Sequence, residues 1–257
     1  MSYVRAKKQL GQHFLTDMSV AEKVAGTLSL EGYDSVLEIG PGTGALTRFL
    51  MKRGISDLKA IEVDNESVEY LEQHFPSLTL IKADFLKWDI GSLFDGRFAI
   101  TGNFPYHISS QIFFRVLEER ERVMEVTGML QKEVAERICA GPGSKTYGIL
   151  SVLLQTFYNV EYLFTVPPEV FHPRPKVTSA VIRLKRNNVS DPGCDFKLMK
   201  RVIKATFNQR RKMVRNSVRS VFDTGDSTID LLTRRPEQLS VAEFVRLTNW
   251  IEENAIL

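Results

Sequence analysis

Short apolar runs alternate with helix-patterned segments over about two-thirds of this 257-residue chain. The strand-like runs lie at 35–39, 58–63, 78–81, 98–101 and 126–130, and the helical patterns at 44–52, 66–74, 110–119 and 133–140. This alternation is typical of a parallel sheet covered by helices. A last run at 177–184 is rich in β-branched residues and is expected to close the sheet. The sequence therefore predicts an α/β domain with a mostly parallel sheet.

A cluster of turn-forming residues at 187–193 follows the last predicted strand. The remainder of the chain is helix-patterned and ends in an amphipathic segment at 241–254. We therefore expect two domains, an α/β domain at 1–186 and a small all-α domain at 187–257.

The helical part has an uneven charge distribution that the formal net charge of +3 conceals, because nine basic residues and no acidic one lie between 197 and 222. From Lys197 onward the basic residues recur on one helical face. Such a face predicts salt-sensitive binding to a nucleic acid. Arg5, Lys7 and Lys8 are expected to extend the same surface. The predicted RNA contacts are Lys204, Arg210, Arg211, Lys212 and Arg215.

The composition indicates an ordinary globular protein, because 43% of the residues are hydrophobic and 25% are charged. The basic N-terminus lacks the apolar core of a signal peptide, and the longest apolar run, at 149–154, is too short to span a bilayer. We expect a cytoplasmic monomer without a membrane segment. Cys139 and Cys194 are expected to be reduced thiols, and four scattered histidines do not predict a metal site.

A glycine-rich loop follows the first predicted strand, with Gly40, Gly42 and Gly44 allowing a sharp turn against a ligand. Glu62 ends the second strand, where a carboxylate can accept from both hydroxyls of a ribose. The spacing of Gly40 and Gly42 also fits a dinucleotide loop, so a nicotinamide enzyme remains open. Glu38 inside the strand and the third glycine favour S-adenosylmethionine.

Asp84 ends the third predicted strand and Phe85 follows it. The carboxylate of Asp84 is placed to accept from an adenine amino group, and the ring of Phe85 is expected beside that base. The alternative role for Asp84 is that of a turn or helix-capping residue.

The tetrapeptide Asn103-Phe104-Pro105-Tyr106 follows the fourth predicted strand, at an edge where α/β sheets bind ligands. The amide oxygen of Asn103 can accept a hydrogen bond from an amine N–H. Pro105 fixes its own φ and keeps its carbonyl as a second acceptor. Tyr106 can stack on a base. The group suits chemistry on a planar exocyclic amine, although an ordinary turn with Tyr106 in the core is the alternative.

Several short motifs together resemble the bacterial small-subunit ribosomal RNA adenine dimethyltransferases, the KsgA family. Each motif is weak alone, but the set is specific and covers nearly the whole chain. Besides Glu62 and Asp84, it comprises residues 8–15, 38–47, 103–109, 129–134, 171–181 and 207–212. The resemblance implies a Rossmann-like class I methyltransferase domain followed by an RNA-binding helical domain.

The resemblance also implies transfer of methyl groups from S-adenosylmethionine to N6 of two adjacent adenosines in the 3′-terminal hairpin loop of 16S ribosomal RNA, within the 30S subunit or its precursor. The adenine would be flipped out, with Tyr106 as its first stacking partner and Phe171 as its second. Phe14 is expected to help close the pocket. The predicted cofactor contacts are His13, Leu15, Gly40, Gly42, Glu62, Asp84, Phe85 and Asn103.

Two positions depart from the common family pattern. His13 stands where many members carry Asn, and residues 103–107 read Asn-Phe-Pro-Tyr-His instead of Asn-Leu-Pro-Tyr-Asn. Besides the nicotinamide enzyme, two alternatives remain open: the related large-subunit methyltransferase of macrolide resistance, and a non-catalytic RNA-binding factor. The segments at 131–133 and 207–212 favour the small-subunit enzyme.

Overall fold

The computed structural model describes residues 4–255 and divides the chain into two compact units. Outside the described part lie residues 1–3 and 256–257. The first of these belong to the stretch that is expected to lack a signal sequence. The first unit contains the described residues up to Ala135 together with Val160–Arg186, and the second contains Glu136–Asn159 and the chain from Asn187 onward.

The strands and helices are, in chain order, β1 (Phe14–Leu15), α1 (Met18–Ala25), β2 (Ser35–Ile39), α2 (Thr47–Leu50), β3 (Asp57–Glu62), α3 (Asn65–His74), β4 (Thr79–Lys82), β5 (Phe98–Asn103), α4 (Ser109–Glu118), β6 (Val123–Gln131), α5 (Lys132–Cys139), α6 (Ile149–Phe157), β7 (Tyr158–Val166), β8 (Phe171–His172), β9 (Ser179–Arg186), α7 (Phe196–Asn208), α8 (Val214–Arg219) and α9 (Val241–Asn254). No helix in this described part is both long and apolar enough to cross a bilayer.

Seven strands form one sheet in the order β4-β3-β2-β5-β6-β9-β7. Neighbouring strands are parallel in the first part of this order, β4-β3-β2-β5-β6, and β9 is antiparallel to β6. The central strands β2 and β5 are almost wholly buried, as parallel strands covered on both faces should be. The α/β prediction with a mostly parallel sheet is confirmed.

The strand at the edge of this sheet is not the one that the sequence predicted. The run at 177–184 does form β9, but β9 lies between β6 and β7, so β7 closes the sheet instead. β7 escaped prediction because its residues alternate only in part between buried and exposed positions. The helix expected at 44–52 is also shorter, since Gly44 has φ +73° and the glycine loop extends to the start of α2.

The second unit is helical and differs in extent from the expected domain at 187–257. It does restart at Asn187, but it also includes α6, which the expected domain at 1–186 had contained. The reason is that α6 is apolar nearly all round and packs against α7 and α9. Phe157 of α6 meets Phe196 of α7 edge to face, with ring centroids 4.9 Å apart.

Gly128 in β6 leaves room for the ring of Phe104, the second residue of the tetrapeptide. A Cβ atom at this position would lie 2.4 Å from Cε2 of the Phe104 ring, which is 1% exposed. The absence of a side chain at Gly128 therefore helps to seat the residue next to Asn103.

We predict that Gly128→Ala destabilises the protein by about 1 to 3 kcal/mol, because an overpacked core must shift. The matched control is Gly96→Ala, since a Cβ atom there meets nothing within 4 Å. Urea unfolding of both variants measures the difference. Equal stability of the two would contradict the predicted clash.

Candidate active site

A cavity of about 1040 Å³, counting the space at its mouth, lies at the carboxyl ends of β2, β3 and β5. All residues around it belong to the first unit. One wall is formed by residues 10–15 of the segment 5–16, which we call the N-terminal strap. Its lining combines apolar side chains with a few polar groups, as is typical of a small-molecule site.

The glycine loop after β2 forms the floor of this cavity. Gly40 and Gly42 have φ of +64° and +58°, a left-handed conformation that favours glycine. A Cβ atom on Gly42 would lie 2.9 Å from Cε1 of Phe14, a residue of the strap. Glycine at 42 therefore serves both the turn and the close packing of the strap.

Glu62, the last residue of β3, lies beside this loop and is 5% exposed. Its carboxylate accepts hydrogen bonds from the backbone N–H groups of Gly42, at 3.2 Å, and of Val63 and Asp64, both at 2.9 Å. Burial raises the pKa of Glu62, although these three bonds work against the rise. The bonds aim the carboxylate at the cavity that it lines.

Asn103 ends β5 and lines the same cavity. Its amide nitrogen Nδ2 donates to the backbone carbonyl of His13 at 2.9 Å. Because that bond holds the amide with its nitrogen toward the strap, the acceptor oxygen Oδ1 is the end offered to a ligand.

Pro105 and Tyr106 complete this side of the cavity. The Pro105 carbonyl accepts from the Ile108 N–H at 3.1 Å, which leaves one lone pair for a second donor. The Tyr106 hydroxyl is 2.6 Å from Oγ of Ser179, and burial raises its pKa. The Tyr106 ring is therefore held as a neutral phenol at a fixed angle.

His13 contacts Tyr106 as well as Asn103. The two rings stack with centroids 5.4 Å apart and an angle of 27° between their planes. Nδ1 of His13 lies 2.7 Å from the carbonyl of Pro173 and donates to it. The imidazole of His13 thus covers one face of Tyr106.

The family model for the ribosomal RNA adenine dimethylases matches residues 3–253 of this chain. The chain belongs to this family. Ribosomal RNA small subunit methyltransferase A of Bacteroides thetaiotaomicron is 56% identical, over 98% of this chain and 96% of its own length. The protein of the same name from Flavobacterium johnsoniae is 52% identical, over 100% of this chain and 99% of its own.

Two solved structures agree with this membership. A dimethyladenosine transferase from Plasmodium falciparum has a TM-score of 0.79 at 21% identity, covering 95% of this chain and 100% of its own, which supports the fold alone. The 23S rRNA methyltransferase ErmE has a TM-score of 0.66 at 26% identity, covering 93% and 99%. The chain is thus an adenine dimethylase with a class I methyltransferase fold and S-adenosylmethionine as methyl donor. A nicotinamide enzyme and a non-catalytic factor are both set aside.

The cavity of this dimethylase fits its cofactor. The glycine floor admits a ligand where any Cβ atom would be strained, and the buried carboxylate of Glu62 suits a pair of ribose hydroxyls. Leu15 is buried in the core but still contributes to the wall. Val63, 51% exposed beside Glu62, also lines the cavity and was missed because a single apolar residue after a strand carries no sequence signal.

Asp84 and Phe85 follow β4, and only Asp84 reaches the cavity. The Asp84 carboxylate accepts from the Leu86 N–H at 3.0 Å and lies 3.6 Å from the Lys87 ammonium, so it is also a turn residue. Phe85 is 4% exposed and is not among the lining residues, whereas Leu86 is. The role of Phe85 beside the cofactor ring stays a prediction, and Leu86 is the apolar neighbour that lines the cavity.

Phe171, expected as a second stacking partner, is also placed elsewhere. It lies in β8 opposite Leu15 of β1, is 4% exposed and packs in the hydrophobic core. Phe171 is not among the residues that line the cavity, although its strand partner Leu15 is, and its stacking role stays a prediction.

The predicted RNA contacts of the second unit fall into two groups. Lys204, Arg211, Lys212 and Arg215 are exposed. Arg210 is half-buried; it donates to the Ser144 carbonyl at 3.1 Å and lies 4.0 Å from Glu237. Arg210 therefore has partners inside the second unit, unlike the four exposed residues, and its contact with RNA stays a prediction.

Glu38, inside β2, is a buried carboxylate that also lines the cavity. Burial raises the pKa of Glu38 to about 7. The Thr47 hydroxyl, which donates to the carboxylate at 2.7 Å, lowers this pKa, and the charge of Glu62 raises it further. Glu38 is thus partly protonated near neutral pH.

We predict that the free energy of unfolding falls as the pH rises from 4.5 to about 7, because folded Glu38 holds its proton more tightly than the unfolded chain does. Glu62 acts in the same direction, whereas Asp64, whose pKa is lowered, acts only at more acid pH. Glu38→Gln keeps an acceptor for Thr47 and should flatten this fall by about 3 kcal/mol at most.

Urea unfolding at several pH values measures this effect. Glu69→Gln, on the exposed face of α3, is the control and should leave the fall in place. An unchanged pH profile in Glu38→Gln would show that Glu38 does not titrate in this range.

Proposed function

We propose that this enzyme dimethylates N6 of two adjacent adenosines in the 3′-terminal hairpin loop of 16S ribosomal RNA during small-subunit assembly. Support comes from relatives more than half identical that bear the name ribosomal RNA small subunit methyltransferase A. The observation that carries the chemistry is the Asn103 amide, whose donor end is occupied by His13 and whose acceptor end is left for an amine.

We assign the cofactor to the lining residues around the glycine floor. Gly40 and Gly42 allow its close approach, Glu62 accepts from the ribose hydroxyls, and Asp84 accepts from the adenine amino group. His13, Leu15 and Asn103 form the wall on the strap side. S-adenosylmethionine supplies an electrophilic methyl group when bound.

The reaction requires that an unreactive aromatic amine be aimed at that methyl group. Oδ1 of Asn103 and the free lone pair of the Pro105 carbonyl accept hydrogen bonds from the two N6–H groups. These bonds turn the lone pair of N6 toward the methyl. Orientation of this kind can lower a barrier by about 7 to 11 kcal/mol. The nitrogen would gain the methyl group, S-adenosylhomocysteine would leave, and the N6 proton would pass to water. No general base is needed, because that proton becomes acidic only as the methyl arrives.

Tyr106 supplies the stacking surface for the flipped base. Its ring is fixed by Ser179 at the hydroxyl and by His13 on one face, so the other face is assigned to the adenine. Stacking on an aromatic ring contributes roughly 1 to 3 kcal/mol per base. After the first methylation one N6–H remains, and the pocket must accept the monomethylated amine with a single acceptor contact.

Binding of the ribosomal RNA is assigned to the exposed basic residues of the second unit, Lys204, Arg211, Lys212 and Arg215. Each phosphate that they neutralise releases counterions. We also propose that the enzyme acts as a monomer in the cytoplasm, where its substrate is assembled, and that the transfer as argued needs no metal ion.

We predict that Asn103→Ala lowers methyl transfer about a hundredfold or more, the size expected when an oriented acceptor is lost. Cofactor affinity should change less than in Glu62→Ala. The control is Gln111→Ala, on the exposed side of α4. Transfer is measured by mass mapping of methylated adenines in undermethylated 30S particles treated with each variant.

Normal methylation by Asn103→Ala would remove the acceptor argument. A parallel assay offers 23S ribosomal RNA to the parent enzyme. Methylated adenines there and none in the 30S particles would favour the large-subunit alternative, for which the likeness to ErmE is the supporting observation.

We predict different effects for two adjacent arginines. Arg211→Ala should weaken binding to 30S particles and reduce the salt slope by about one, because an exposed phosphate contact is lost. Arg210→Ala should instead lower the unfolding temperature, because it removes the bond to Ser144. Filter binding at several salt concentrations and thermal unfolding measure the two effects. Identical behaviour of the two variants in both assays would contradict the assignment.

A further inference from the structure

Lys7 of the N-terminal strap does not present its charge to solvent as a free cation. Its ammonium contacts the carboxylate of Asp64 and lies 3.2 Å from that of Glu66. The backbone N–H of Arg5 donates to the carboxylate of Glu66 at 3.2 Å. The strap is thereby attached to the first turn of α3, within the first unit.

A second strap residue strengthens the same attachment. Gln12 accepts from the Lys7 N–H at 2.8 Å and donates to Asp64 at 3.4 Å. Asp64 also caps α3, since it accepts from the N–H and the hydroxyl of Ser67 at 3.3 and 3.0 Å. One buried carboxylate therefore joins the strap to the helix.

Asp64 is also connected to the cavity. Its backbone N–H donates to Glu62 at 2.9 Å, one of the three bonds that aim that carboxylate. Asp64 and Glu62 are 3% and 5% exposed, so two carboxylates are buried two residues apart. Burying charges together is costly unless a partner of opposite sign is present. Lys7 supplies that partner.

We propose that Lys7 is a positioning residue for the cofactor: its ion pair with Asp64 holds the strap against α3 and so keeps both the strap wall and Glu62 in place around the ligand. The inference rests on the assignment of this cavity to S-adenosylmethionine. It gives Lys7 a role inside the first unit that is separate from the expected RNA-binding surface.

Electrostatics of the same groups supports this role. Burial works to raise the pKa of Asp64, but the bonds from Lys7, Ser67 and Gln12 outweigh it and hold that pKa below its ordinary value. The Asp64 charge in turn adds to the rise in the pKa of Glu62 that burial causes. Without Lys7 the repulsion between the two buried carboxylates is unscreened, which favours displacement of the strap and of the Glu62 carboxylate from their places at the cavity.

The test is calorimetric binding of S-adenosylhomocysteine, whose lack of a sulfonium charge avoids a direct charge effect. Lys7→Met should raise the dissociation constant about tenfold, between the effects known for exposed and for buried ion pairs. Lys7→Arg, which can still bridge Asp64 and Glu66, should stay within about threefold of the parent. Lys8→Met is the matched control, since Lys8 is the adjacent exposed lysine, and its affinity should not change.

Two further measurements separate positioning from folding. Hydrogen exchange in residues 5–16 of the free protein should accelerate in Lys7→Met and not in Lys8→Met. In an Asp64→Asn background, Lys7→Met should have less than about a twofold further effect on affinity, because coupled residues are not additive.

Equal affinity of Lys7→Met and the parent would overturn the proposal, and so would equal losses in Lys7→Met and Lys8→Met, which would indicate net charge alone. Full additivity with Asp64→Asn would also overturn it. Failure of the parent protein itself to bind S-adenosylhomocysteine would instead contradict the cofactor assignment.

Discussion

The register of the parallel strands is the constraint on which the site depends. β2 pairs with β3 through Ile39 and Ile61 and with β5 through Glu38 and Thr101, so the three strands end at the same edge. The glycine floor, the carboxylate of Glu62 and the amide of Asn103 each follow from one of these ends. A shift of one residue in any strand would turn its terminal side chain to the opposite face of the sheet.

Strand ends supply the groups but do not orient them, and orientation comes from distant parts of the chain. The amide of Asn103 is turned by a carbonyl of the strap, and the ring of Tyr106 is held by Ser179 at the start of β9. His13 supplies that strap carbonyl, and its ring stacks on Tyr106. The acceptor geometry is thus a property of the folded first unit, because no local segment contains all of its members.

This division explains what the sequence could and could not predict. The parallel strands, Glu62 and Asn103 were predicted because hydrophobic runs and strand ends are local signals. α6 was not, because a short run that is apolar on every side has no period to distinguish helix from strand. Phe85 and Phe171 are buried and do not line the cavity, a difference that sequence position could not encode because the direction of an aromatic ring depends on tertiary packing.

The same reasoning applies to charge, because a basic residue in the sequence is not necessarily a free cation on the surface. Lys7 neutralises Asp64, and Arg210 bonds to the Ser144 carbonyl, whereas Arg211 next to it is exposed. Counterion release depends on the phosphates contacted, so only cations without an internal partner contribute fully. The nine basic residues at 197–219 are therefore not all equally available to a phosphate backbone, because Arg210 has partners inside its own unit.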